Sequence, residues 1–170
     1  MKRTLLLLVG ILSLVSAARG QERETPAAEI SAGYSYFRAG GQDGLNLHGG
    51  SVSLAANVNH WFGVVGDYGL YHTQPSGFGG INFHSFTVGP RFSFRSSSKI
   101  TPFAQVLVGG FHGLSTTGFA LSVGGGLDVK VSEHLAIRPY QVEYMLLRAQ
   151  GDNLNCGRVS AGIVFRFGGR

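Results

Sequence analysis

From residue 28 to residue 167, apolar side chains recur at every second position, and the positions between them are mostly glycine, serine, alanine, threonine and asparagine. A period of two marks an extended strand whose two faces meet different surroundings. Eight segments fit it: 28–38, 49–58, 61–71, 82–94, 100–111, 119–130, 135–147 and 158–167. In the third, Phe62, Val64, Tyr68 and Leu70 alternate with Gly63, Asp67 and Gly69. In the eighth, Val159, Ala161, Ile163, Phe165 and Phe167 alternate with Ser160, Gly162 and Arg166. No stretch after residue 20 carries a helical stripe. The joins at 59–60, 95–99 and 131–134 are short, whereas those at 39–48, 72–81, 112–118 and 148–157 are longer and rich in Gly, Ser, Asn and His. Alternating short and long joins suit an antiparallel up-and-down meander, and eight such strands can close into a barrel. Closure removes the unpaired edges that invite aggregation.

Alternation alone does not say which face meets water. In a soluble sheet the apolar face packs inward and the other face is solvated. A solvated row of this length normally carries many Lys, Glu and Asp. Here the second row is small, with single charges at Asp67, Arg91, Asp128, Glu143 and Arg166. Small residues with scattered opposite charges suit a narrow, filled lumen, and buried charges persist only when paired. These five are therefore the expected lumen ion-pair network, with Asp67, Asp128 and Glu143 pairing with Arg91 and Arg166. The apolar face then meets lipid, with aromatic girdles at the two interfaces. Tyr34, Tyr36, Phe62, Tyr68, Tyr140, Tyr144, Phe165 and Phe167 are the girdle candidates. Pro90 and Pro139 remove ladder donors inside expected strands, which places them at bulges or strand ends.

The start of the chain reads separately. Met1-Lys2-Arg3 is positive, Thr4 to Val15 is almost wholly apolar, and Ser16-Ala17-Ala18 follows. This is the three-part layout of a secretory signal peptide, and it is too short for a spanning helix. Cleavage fits after Ala17 or after Gly20. The expected organisation is a signal peptide over 1–20, a short periplasmic leader over 21–27 and the barrel over 28–168. The net charge of +5 owes Lys2, Arg3 and Arg19 to that leader, and the remaining 11 basic and 9 acidic residues give +2. No Lys/Arg cluster exists to hold nucleic acid.

Several motifs resemble those of small OmpA-like outer-membrane β-barrel proteins. They are Trp61 to Tyr71 (WFGVVGDYGLY), Thr87-Val88-Gly89-Pro90-Arg91-Phe92, Pro102-Phe103-Ala104-Gln105, and Phe119 through Gly124-Gly125-Gly126-Leu127-Asp128. Ile137-Arg138-Pro139 with Gln141 and Tyr144, and the closing Arg158 to Phe167, complete the set. The resemblance runs in order over about 28–168. It departs at Gln105, where the family often has His, and at Gly168-Gly169-Arg170, which follow the closing aromatic. It implies the outer membrane of a Gram-negative-type bacterium, contact with outer-membrane lipids and insertion by the barrel assembly machinery.

Candidate chemistry is sparse. Histidines stand at 48, 60, 72, 84, 112 and 134 with no compact metal motif. Ser132, His134 and Glu143 are close in sequence, but lipid A deacylases place Ser two residues after their His, and Ala136 stands there. A lone Cys156 supports no intrachain disulfide. The expected fold is all-β: an eight-stranded antiparallel up-and-down transmembrane β-barrel preceded by a signal peptide. The expected function is non-enzymatic, with no cofactor or metal. It is structural, or it binds an extracellular ligand through four long extracellular loops. A narrow passive channel, a membrane-embedded lipid-modifying enzyme and a secreted soluble lipid-binding barrel stand as alternatives.

Overall fold

The computed structural model describes residues 25–40, 44–73, 81–97, 99–113, 116–149 and 151–169. The signal peptide and most of the leader lie outside these residues. Eight strands follow in chain order: β1 (Pro26–Ala39), β2 (Leu45–Asn57), β3 (Phe62–Thr73), β4 (Ile81–Ser93), β5 (Ile100–Gly113), β6 (Thr116–Lys130), β7 (Leu135–Ala149) and β8 (Asp152–Gly169). Each pairs antiparallel with its sequence neighbour, and β8 returns to β1, so the sheet is closed.

Following the register once around the wall leads from Phe92 through Ala104, Gly125, Val142, Val159, Tyr36, His48 and His72 to Asn82. The path returns to β4 ten residues from where it left. That stagger tilts the strands and fixes the barrel's width. Because it is even, the inward and outward rows join without a fault.

The apolar row faces out. Val64, Tyr68, Phe86, Val142 and Ile163 are exposed on the outer wall, whereas Asp67, Arg91, Asp128 and Arg166 are buried inside. A soluble barrel would show the reverse. The outer surface over most of the strand length is therefore hydrocarbon-like, and the closed ladder pairs each strand with two neighbours, as a lipid environment demands.

The strands run further than the alternation indicated. They leave only 40–44, 74–80, 114–115 and 150–151 between them at one end, and 58–61, 94–99 and 131–134 at the other. The expected joins 39–48, 112–118 and 148–157 are corrected accordingly, because 45–48, 116–118 and 152–157 belong to strands, whereas most of the expected join 72–81 lies outside the described residues. The reason is an inversion of pattern. Toward this end the inward residues become large and apolar (Phe37, Leu47, Tyr71, Phe83, Met145, Leu147). The outward ones become polar (Arg38, Asn46, His48, His72, Asn82, Arg148). Spanning strands need about 9–11 residues, and these have 12 to 18, so the excess stands clear of the apolar band. Cys156, expected in a connection, is instead a buried member of the inward apolar cluster.

The two strand prolines behave differently. Pro139 sits where the register shifts against β8 between Arg138 and Gln141, and against β6 between Leu127 and Val129. This is the expected bulge. Pro90 is neither at a strand end nor at a register shift. It pairs with Val64 on one side, while the ladder to β5 resumes in the same register on either side of Gly89 and Pro90.

The seam between β1 and β8 is tightest where Gly33 faces Gly162. A Cβ on Gly33 would meet the Ala161 carbonyl oxygen at 2.1 Å, and one on Gly162 would meet that of Ala32 at 2.3 Å. Gly162→Val is expected to destabilise the barrel by about 3 kcal/mol, while the outward Ala161→Val changes stability by less than about 0.5 kcal/mol. Urea midpoints of the folded band in unheated gel electrophoresis measure both.

Candidate functional site

The interior is the place where this chain departs from a simple wall. Among the described residues, four acids (Glu29, Asp67, Asp128, Glu143) and four arginines (Arg91, Arg138, Arg158, Arg166) are buried there, so the buried charges on the strands balance. Three groups stack along the axis.

In the central group, Arg158 on β8 donates from Nη1 to Asp67 Oδ1 at 2.6 Å and to the Tyr71 hydroxyl at 3.1 Å. The same guanidinium is paired with Glu143. Glu143 also accepts from Gln105 Nε2 at 2.9 Å and from the Ser122 hydroxyl at 3.2 Å. In the second group, Arg138 grips Asp128 with two parallel bonds of 2.7 and 3.0 Å, the bidentate geometry that makes such pairs strong. Its remaining nitrogen reaches Gln141 at 2.9 Å and Ser31 at 3.3 Å. In the third group, Glu29 lies 3.6 Å from Arg91, 3.5 Å from Arg166 and 3.2 Å from Arg95, which comes from the β4–β5 connection.

Gln105 joins the first and third groups, accepting from Arg91 Nε at 3.0 Å while donating to Glu143. The Phe103 ring carries Arg91 and Arg138 at 4.6 and 4.4 Å from its centroid, a cation–π contact that offsets part of their burial. Above the central group, Phe37, Tyr71, Phe83 and Phe111 contact one another in series, at centroid distances of 5.1 to 5.8 Å. They close the bore with a hydrophobic plug. A cavity of about 20 Å³ beside Ser31, Ser53, Asp67 and Arg138 has room for about one water.

Asp67, Arg91, Asp128, Glu143 and Arg166 all lie in this interior. The structure does not pair them with one another. Their partners are Glu29, Arg138, Arg158 and Gln105. Arg158 and Glu29 share the inward parity of Ser160 and Ser31, so the alternation carried a signal for both. Arg138 breaks parity with Gln141 and Glu143. The extra residue at the Pro139 bulge turns it inward. Of the aromatic candidates, Tyr34, Tyr68, Tyr140, Tyr144, Phe165 and Phe167 are exposed on the outer wall, and Tyr36 and Phe62 are half-buried. Phe62 belongs to a cluster in which Trp61 stacks on Phe92 at 6.0 Å and 13°. Ser132 and His134 stand exposed in the β6–β7 connection, while Glu143 is committed to Arg158 inside the barrel.

A closed eight-stranded wall, oily outside and charge-paired inside, is matched by the family model described as outer membrane protein beta-barrel domain, over residues 4–167. The chain belongs to that family. It is an outer-membrane protein, and its interior is lined with buried polar residues in place of an open bore. Among solved structures it resembles Neisserial surface protein A at 16% identity and a TM-score of 0.72, covering 86% of this chain and 100% of that one. It also resembles Ail, the attachment invasion locus protein of Yersinia pestis, at 19% identity and 0.61, covering 84% and 100%. A third likeness is OprG from Pseudomonas aeruginosa, at 11% and 0.57, covering 85% and 97%. These identities establish a shared fold. No curated protein sequence matched the chain.

Removing one partner of a buried ion pair leaves a buried charge uncompensated and costs about 3–5 kcal/mol. Arg158→Leu is therefore expected to lower stability by that amount, since it strands both Asp67 and Glu143. Adding Asp67→Asn and Glu143→Gln to the same chain is expected to recover most of the loss. Urea titration by tryptophan fluorescence, through Trp61, follows both variants.

Proposed function

We propose that this barrel is a non-enzymatic, non-conducting scaffold of the outer membrane that presents its outer-end connections as a binding surface. The observation that supports this reading is the filled bore: two-layered, with an arginine–carboxylate network below and the Phe37–Tyr71–Phe83 plug above. In this reading the plug end projects outward, both termini lie on the periplasmic side, and the connections 40–44, 74–80, 114–115 and 150–151 meet the exterior. The ion network holds the wall's shape from within. The exposed tyrosines Tyr34, Tyr68 and Tyr144 form the outer girdle, and Phe165 and Phe167 the inner one, where they also serve recognition by the assembly machinery. The OmpA-like motifs, from Trp61-Phe62-Gly63 to the closing Phe165-Arg166-Phe167, support the same placement. Ail is named as an attachment invasion locus protein, and a surface-binding role for this chain is in keeping with that likeness.

Planar-bilayer recording of the purified full-length chain tests the scaffold reading. The expected result is no conductance step above the lipid background, from protein whose heat-dependent gel mobility shows it folded. Reproducible unitary steps would replace this reading with a narrow channel.

A further inference from the structure

The outer wall carries a row of histidines that the scaffold role does not use. His48 on β2 stands directly opposite His72 on β3, and His84 on β4 directly opposite His112 on β5. His72 faces Asn82, two residues before His84, so the two pairs are diagonal neighbours on adjoining strands. Four of the chain's six histidines thus lie in one outward row across four consecutive strands.

All four are built alike. His48 Nδ1 is bonded to the Tyr34 hydroxyl, and His84 Nδ1 to the Tyr68 hydroxyl at 2.8 Å. His72 Nδ1 meets Asn82 Oδ1 at 2.8 Å, and His112 Nδ1 meets Thr117 Oγ1 at 2.8 Å. No Nε2 of the four has a partner among the described residues. Asn82 Oδ1 accepts from the His72 Nδ1–H, which leaves the lone pair of that ring on Nε2, while the Tyr34, Tyr68 and Thr117 hydroxyls pin the Nδ1 of the other three as donor or acceptor. Fixing one ring nitrogen through a neighbouring oxygen while the other stays open is the arrangement that orients metal-ligating histidines. Directly opposed residues on one face of an antiparallel pair have Cβ atoms about 4.5–5.5 Å apart, within reach of one ion bridging two imidazoles at about 2.0–2.1 Å each.

We propose that this row binds a divalent transition-metal ion of the imidazole-preferring class (zinc, nickel or copper), through His48 with His72 and through His84 with His112. Imidazole nitrogens are ligands for such ions. Among the described residues no three His, Cys, Asp or Glu side chains converge on one point. Each pair therefore supplies two ligands and leaves the other positions to water or to a phosphate oxygen of the surrounding lipid. In the membrane placement proposed above, on which this point rests, the row lies beside the outer tyrosine girdle, so a bound ion there would tie the wall to its lipid neighbours.

The test uses the full chain without an affinity tag, folded in phosphate-free detergent. Copper(II) is titrated and followed by electron paramagnetic resonance, with zinc(II) followed by calorimetry. The expected copper spectrum shows nitrogen hyperfine structure, reversed by chelator. His48→Ala/His72→Ala and His84→Ala/His112→Ala are each expected to remove one of the two sites, roughly halving the bound copper, and the variant carrying all four substitutions to weaken binding about tenfold or more. The control His60→Ala/His134→Ala, at the opposite end of the barrel, leaves it unchanged. Heat-dependent mobility confirms that each variant is folded. Binding that stays at full stoichiometry in both pair variants, that survives loss of all four histidines, or that falls equally in the control, would overturn the proposal. So would a row that engages only anionic lipid vesicles, in the absence of metal.

Discussion

Arg158 holds Asp67 and Glu143 together at the middle of a wall with no edge, and much else follows from how that contact is made. Arg158 and Glu143 face each other on the adjoining strands β8 and β7, while Asp67 comes from β3, so the guanidinium ties that pair of strands to one across the bore. Three charges taken out of water destabilise a fold unless each finds its partner. Here each does, and Tyr71, Gln105 and Ser122 satisfy further donors and acceptors around them. The bore can be narrow because its contents attract one another. It can be polar because the lipid outside takes the apolar side chains. The two solvents of the wall are thus assigned by one rule, and the even stagger keeps that rule unbroken around the circumference.

The eight strands and the sidedness of the wall were legible in the sequence, because a strand between two unlike media writes its environment at every second position. What the alternation hid were the partners inside. Which charges meet depends on the ten-residue stagger of the barrel, which no single strand encodes. Asp67 and Arg91 are both inward, yet they belong to different groups because the tilt sets them at different heights. Arg138 was hidden by the Pro139 bulge, although the proline itself announced that something irregular must occur there.

The strand ends were misread for a different reason. Beyond the lipid, the wall becomes an ordinary soluble barrel, with Phe37, Leu47 and Phe83 inside and Asn46, His48 and Asn82 outside. The period of two continues, but its polarity reverses. Read with one polarity throughout, such residues look like a break in the pattern and therefore like loop. Histidines and asparagines reinforced that impression. The likenesses to other outer-membrane barrels show how far one architecture tolerates different sequences. Such identities transmit a shape, while the contents of the bore and the outer rim belong to each chain.

The ladder between β1 and β8 has a consequence for how the molecule comes into being. Its partners, such as Gly33 and Gly162, are separated by nearly the whole chain, so the first strand has no second neighbour until the last one arrives. Closing so long a loop is entropically slow. Until that moment both margins of the sheet present open hydrogen-bonding groups, and Glu29, carried by the first strand, lacks the Arg166 that only the last can bring. The ladder that seals the cylinder and the contact that brings Arg166 to Glu29 therefore form together, when the last strand meets the first.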